Sequence, residues 1–343
     1  MAKLFTPYTL KNLTLKNRIM MAPMCMYSAK DDGLVTDWHK THYTTRAVGG
    51  VGLVVLEATG VEPRGRISEN DLGIWHDEHI AGLKEIADAV HQNGAKVGIQ
   101  LAHAGRKSDT SGDPIIAPSP IPYSDAYREP LEMTLDDIKS VTEAFVAATI
   151  RAEKAGFDII EIHAAHGYLI NSFLSPLTNK RTDAYGGDLI KCSRFLKEIL
   201  EAVGKVWPKE KPIIVRVSGE DYQDGGNHPE DLGQILKYLK ESGVEIDIIN
   251  VSSGGVVSVR PKTFPGYQVK IAETISEISG YPVIAGGLIT EPEHAEEIIQ
   301  NNRADMVFFA RELLRNPYWP LHAAKTLKED IEWPRQYRMG KYT

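Results

Sequence analysis

Cysteine is scarce: Cys25 and Cys192 are the only two among 343 residues. That excludes a disulfide framework and the usual four-thiolate iron–sulfur cluster. No apolar run approaches the roughly 18 residues of a transmembrane helix, so no membrane partner is expected. A basic excess is also missing. Asp and Glu number 46 against 39 Lys and Arg, a net charge of -7, which argues against a nucleic-acid surface. Met1-Ala2-Lys3-Leu4-Phe5-Thr6-Pro7 lacks a secretory apolar core, and a cytoplasmic protein is expected. No low-complexity linker or composition shift divides the chain. It reads as a single domain over 1–343, with a tail from about residue 330. No G-x-G-x-x-G fingerprint points to a Rossmann nicotinamide site.

What the chain does have is alternation. Short apolar, β-branched runs take turns with longer amphipathic stretches. Strands are expected at Ile19–Met21, Leu53–Leu56, Val97–Leu101, Ile159–Ile162, Ile213–Val217, Ile246–Val251, Val283–Ala285 and Met306–Phe309. Their continuous apolar character suits strands buried on both faces. Thr134 is placed to cap a helix whose apolar positions Ile138, Val141, Phe145, Ala148 and Ala152 recur with a 3.6-residue period until Gly156. Thr290-Glu291-Pro292-Glu293 has capping-box spacing. Tyr8–Leu10 and Leu13–Leu15 read as a small hairpin closing a barrel bottom, and Lys107 to Glu132 as a long loop over the top. An open doubly wound sheet is the rival, but eight strand–helix units in one run favour an α/β fold of the (β/α)8 TIM-barrel type.

In such a barrel, chemistry sits at the C-terminal ends of the strands. The fourth strand ends in Glu161-Ile162-His163-Ala164-Ala165-His166-Gly167-Tyr168. Two imidazoles three residues apart can converge on one oxygen, and the phenol of Tyr168 can deliver a proton nearby. That trio points to an enzyme acting on a carbonyl. A His-x-x-His metal site is the alternative, but no third ligand converges. The first strand ends in Ala22-Pro23-Met24-Cys25-Met26-Tyr27, a soft cluster that suits either a flat aromatic cofactor or an ordinary buried loop. Ala58 leaves room at the second strand's end, and Gln100 at the third offers both donor and acceptor. Arg216, inside an apolar strand, is either paired with a carboxylate such as Glu161 or faces charge developing on a cofactor. Ser253-Gly254, Gly286-Gly287 and Ala310-Arg311 end the last three strands, where barrels often hold a phosphate.

These motifs resemble the Old Yellow Enzyme family of flavin-dependent ene-reductases, most closely its thermophilic-like subclass, which includes bacterial NADPH dehydrogenases. The match runs from Leu4-Phe5 to about Tyr337. It is carried by Pro23-Met24-Cys25-Met26-Tyr27-Ser28, Gly98 to Lys107, Glu161 to Leu169, Phe173 to Leu177, Asp183 to Gly187 and Arg311 to Pro317. The resemblance implies non-covalent FMN across the barrel mouth and NADPH as reductant. Ala22, Pro23, Met24, Cys25 and Ala58 would line the isoalloxazine. Gln100 and Arg216 would meet its pyrimidine edge, and Gly286, Gly287 and Arg311 its phosphate. Cys25 would tune the flavin. His163 and His166 would hold a substrate carbonyl oxygen. Hydride would leave flavin N5 for the β-carbon of an enone, nitroalkene or related acceptor, and Tyr168 would protonate the α-carbon. Tyr27 would contact substrate from the other side. A homodimer or homotetramer is implied, in which Arg338, or Arg335 before it, reaches a neighbouring subunit's site. Three departures stand out: Arg338 follows Tyr337 directly, Asp188-Leu189-Ile190 opens a helix where the family has serine and Glu-Asn-Arg, and Gly286 replaces a valine. A barrel that binds a flavin or phosphorylated ligand without turnover is the competing functional reading.

Overall fold

All eight expected strands form, and they hydrogen-bond in chain order into a closed parallel barrel. They are β1 (Ile19–Met21), β2 (Leu53–Gly60), β3 (Lys96–Ala102), β4 (Ile159–Ala164), β5 (Ile213–Ser218), β6 (Ile248–Ser252), β7 (Val283–Ala285) and β8 (Met306–Phe309). The computed structural model describes residues 2–341. Among these, no helix is long and apolar enough to cross a membrane.

Two apolar layers hold the barrel. The outer one packs helices such as Leu135–Lys154 and Leu189–Val203 against the strands through Phe145, Ile160, Phe195 and Ile199. The inner one joins Met20, Leu53, Ile159, Ile214, Ile248, Ile284 and Met306 to Leu10 and Leu15 of the hairpin, which plugs the foot as expected. Strand side chains alternate in direction. Ile159 lies inside, so Glu161 and His163 share its face and climb toward the mouth. The register sets His163 and Asn250 beside Arg216, and Glu161 beside Gln100. One strand thus carries hydrocarbon at its foot, a carboxyl halfway and an imidazole at its lip.

Local signals were mostly sound. Thr134 Oγ1 accepts from Asp137 N at 3.1 Å, and the Asp137 carboxylate accepts from Thr134 N at 2.9 Å. Such a reciprocal cap is worth about 1 kcal/mol. Gly156 ends the helix region at φ +86°. Asp188 caps the helix that departs from the family pattern by accepting from Lys191 N at 2.9 Å. Two expectations need correction. Strand β6 starts at Ile248, not Ile246, because Asp247 is spent at the foot accepting from Ile213 N at 2.7 Å. The helix Pro292–Gln300 has Glu291, not Thr290, at its N-cap and no side-chain cap bond. Proline at its first position moves the start one residue on, so Glu293 never reaches the third helical position. The loop from Lys107 to Glu132 includes a short parallel pair, Ile116–Ala117 with Leu131–Glu132.

Candidate active site

At the mouth, the rings of His163, His166 and Tyr168 converge. Centroids are 5.1 Å apart for the two imidazoles, 4.9 Å for His163 and Tyr168, and 6.3 Å for His166 and Tyr168, all near perpendicular. The turn that aligns them is strained. His166 has φ +61° and Gly167 φ +75°. A Cβ on Gly167 would come within 2.2 Å of Gly255 O, so glycine is obligatory there. Neighbouring loops fix the strained residue. His166 N donates to Ser218 Oγ at 2.9 Å, His166 Nε2 meets Ser252 Oγ at 2.7 Å, and Lys107 Nζ donates to His166 O at 2.9 Å.

Electrostatics sort these groups by role. Burial, then the Arg216 charge, holds both imidazoles well below the ordinary histidine value. They are neutral near pH 7 and keep one N–H each to donate. Burial, followed by the Cys25 and Tyr27 side chains, pushes the Tyr168 phenol well above its usual value, so it retains its proton. Lys107 stands 5.2 Å from the Tyr168 ring centroid and 4.2 Å from that of Tyr123, and burial lowers its ammonium to about 8.

Below the rings lies a polar belt. Glu161 accepts from Gln100 Nε2 at 2.6 Å and from Asn250 Nδ2 at 2.7 Å. Burial raises this carboxyl, and Arg216 opposes that. The sequence left open whether Arg216 pairs with Glu161. Instead, the amides take both carboxylate oxygens, and Arg216 Nε is buried without a hydrogen-bond partner. A buried donor left unpaired is costly, so this cation is held ready for an anionic partner. Phe308 lies beneath it, 5.5 Å from centroid to guanidinium carbon. Gly286 makes room for that ring, since a Cβ there would fall 2.4 Å from Phe308. The valine-to-glycine departure is thereby explained.

The β1 loop forms the facing wall. Ala22, Pro23 and Ala58 are buried, while Met24 and Cys25 are partly exposed. Met26 N donates to Glu57 Oε2, and His39 Nε2 lies 2.9 Å from Glu57 Oε1. Burial and then the Asp71 and Glu57 carboxylates push the Cys25 thiol up, so it is not a thiolate at neutral pH. Tyr27, at φ +50°, is 55% exposed and stands at the rim. On the far side, Arg216, Gly287, Ala310 and Arg311 line a cavity of 170 Å³ with Ser252, Tyr267 and Gln268. Ser253 Oγ accepts from Tyr222 Oη at 3.0 Å, and Gly254 has φ +72°.

One expected site residue is not with the others. Arg338 belongs to a 3-10 turn, Arg335–Gly340, and lines a 560 Å³ cavity with Arg335, Asn17, Gly50 and Gly94. Asn17, Gly50 and Gly94 precede β1, β2 and β3, so this tail lies at the foot of its own barrel. Its own mouth is out of reach. Tyr342 and Thr343, the end of the expected tail, lie outside the described residues. Ser218, Ser252, Asn250, Lys107 and Glu57 were missed as site residues. Strand parity was the available signal for one of them: Ser218 is two past Arg216 and so shares its face.

Comparisons with known proteins give the family and the fold. Residues 3–330 match the model of the NADH:flavin oxidoreductase / NADH oxidase family. An NADPH dehydrogenase of Geobacillus thermodenitrificans is 55% identical over 338 residues, 98% of each chain. One from Clostridium acetobutylicum is 52% identical over 337 residues, again 98% of each. Among solved structures, morphinone reductase superposes with a TM-score of 0.81 at 28% identity, covering 96% of this chain and 91% of that one. A 2-naphthoyl-CoA reductase gives a TM-score of 0.89 at 28% identity, but this chain, 94% covered, spans only 52% of it.

Proposed function

The chain belongs to the NADH:flavin oxidoreductase / NADH oxidase family, as its resemblance to Old Yellow Enzymes implied, and we propose that it uses FMN and NADPH to reduce the activated C=C bond of α,β-unsaturated carbonyls, nitroalkenes and related small electrophiles. The observation that carries this reading is the convergence of two neutral imidazoles and a protonated phenol near a buried arginine whose Nε has no hydrogen-bond partner among the described residues.

The residues suit FMN on three counts. The orphaned Arg216 Nε lacks an anionic partner. The cavity beside Gly287 and Arg311 suits a phosphate, since glycine opens backbone N–H groups and arginine adds charge. The wall of Ala22, Pro23, Met24, Cys25 and Ala58 is small and soft enough for a flat ring. Gln100 donates its amide nitrogen to Glu161, so its carbonyl oxygen is the acceptor it offers. Ser253, Gly254, Gly286 and Ala310 complete the cofactor wall on this reading. When bound, FMN supplies hydride exchange between NADPH and the acceptor.

The chain's own residues do the rest. His163 and His166 donate to the acceptor's carbonyl or nitro oxygen, where negative charge develops on reduction. Arg216 would offer its cation to negative charge on a bound flavin. Tyr168 gives its proton to the α-carbon, and Tyr27 closes the rim. Ser252 and Ser218 hold His166 in its strained turn, which fixes the donor's direction without a rearrangement at the moment of reaction. Arg338, remote from its own mouth, serves a neighbouring copy in a homodimer or homotetramer.

The test is direct. The FMN-loaded protein should bleach anaerobically with NADPH and regain its colour with cyclohexenone. A flavin that binds yet never bleaches would leave a non-catalytic binding barrel. Bleaching without reoxidation by any enone or nitroalkene would overturn the acceptor class.

A further inference from the structure

The loop between β6 and the helix Val269–Ser279 has fixed feet and an unattached basic tip. At its first foot, Gly254 N donates to Glu220 O at 2.7 Å, and Gly255 O accepts from Lys107 Nζ at 3.2 Å. Val256 O accepts from Arg106 Nη2. At the second, Gly266 N donates to Gly287 O at 2.7 Å, against the cavity that Arg311 lines. One foot thus abuts His166 and the other the proposed phosphate end of the cofactor. Between them runs Val257-Ser258-Val259-Arg260-Pro261-Lys262-Thr263-Phe264-Pro265. Arg260 and Lys262 are exposed and make no hydrogen bond or ion pair among the described residues. No Asp or Glu occurs from Val251 to Ala272, although the chain carries a net charge of -7. Phe264, two residues on, is 55% exposed, whereas every other phenylalanine among the described residues is buried.

Two cations and a half-exposed aromatic ring, set edge-on to Tyr267 at 6.3 Å between centroids, have a chemical counterpart. An adenosine bearing a phosphomonoester on its ribose offers a π-face for stacking and a dianion for charge-assisted hydrogen bonds. We propose that Arg260, Lys262 and Phe264 form a subsite for the adenosine phosphate of the reductant, with the cations reading the ribose 2′-phosphate and so setting the preference for NADPH over NADH. This rests on the reductase reading above. A coenzyme A ester carries the same chemistry with its phosphate on the 3′ oxygen, so the two sources must be separated by experiment. The proline between the cations fixes the local backbone and lowers the cost of ordering them on a ligand.

The FMN-loaded protein should be titrated calorimetrically with 2′,5′-ADP, 3′,5′-ADP and 5′-AMP. We expect 2′,5′-ADP to bind tightest, and to weaken roughly tenfold in the double variant Arg260→Ala/Lys262→Ala, as two exposed contacts to a phosphate allow. The ratio of kcat/KM for NADPH to that for NADH in flavin reduction should fall by a similar factor. Phe264→Ala should weaken all three nucleotides alike. Unchanged 2′,5′-ADP affinity in the double variant overturns the subsite. So does tightest binding of 3′,5′-ADP, which would assign the tip to coenzyme A esters. Should neither nicotinamide nucleotide bleach the flavin, the reductase reading fails, while the 2′,5′-ADP titration still decides the fate of the loop.

Discussion

Ile159 and His163 sit on the same strand and the same face, one near the foot of the barrel and one at its lip. Around Ile159, the interior is hydrocarbon, sealed by Leu10 and Leu15. Around His163 it is polar, partly strained and, at Arg216, unsatisfied. The foot is closed mainly by apolar packing, with Leu10, Leu15, Met20 and Leu53 in one buried cluster. The lip is not closed in that way. Stability and chemistry are therefore divided along each strand rather than between separate parts of the chain, and substitutions at the two ends should separate them.

Tyr168→Phe is expected to have the largest effect. It should slow the reoxidation of reduced enzyme by cyclohexenone about 10²- to 10⁴-fold, the usual worth of a positioned general acid. Its thermal midpoint should stay near that of the parent, and stopped-flow spectroscopy together with calorimetry checks both. Leu15→Ala is the converse. Deleting a fully buried leucine from the foot should cost about 2–5 kcal/mol in urea denaturation while sparing the turnover of what remains folded. Parallel losses of stability and rate in either variant would break the division proposed here.

His166→Ala should weaken phenol and enone binding about 10- to 100-fold, within the range for a buried hydrogen bond to a charged group. Spectral titration with para-hydroxybenzaldehyde measures it. Ser252→Ala should reproduce part of that loss by freeing the ring, and an unchanged affinity in both variants would remove the clamp role. The smallest effect concerns pH. Lys107 faces Tyr168 and Tyr123, accompanied by Arg106, and its ammonium is lowered to about 8. Below that pH it is charged, and a cation over the phenol ring favours proton release. Reoxidation should therefore slow a few-fold as pH rises through about 8, and Lys107→Met should abolish that limb. The imidazoles, already neutral, should add no limb between pH 6 and 8.

Much of the fold was legible because its signals are local. A run such as Ile213-Ile214-Val215 suits a strand buried on both faces, and Thr134 with Asp137 announces a helix start on its own. Where a signal was shared between neighbours, reading failed. Thr290 had the right spacing for a cap, but the proline at 292 decided the start. At the site, His163, His166 and Tyr168 stood close together in the chain and were found. Ser218, Asn250 and Ser252 come from other strands, and only register brings them to His166 and Glu161.

The sequence by itself determined where the eight strands lie along the chain, the ends at which polar groups cluster and the identity of the three converging rings, because periodicity and turn chemistry act over a few residues. Only the tertiary structure decided that Glu161 belongs to two amides and not to Arg216, that Gly286 yields to Phe308, and that Arg338 lies at the foot of its own barrel. Those outcomes depend on which strands neighbour one another when the sheet closes. Barrel closure is a property of the whole chain, which no segment carries alone.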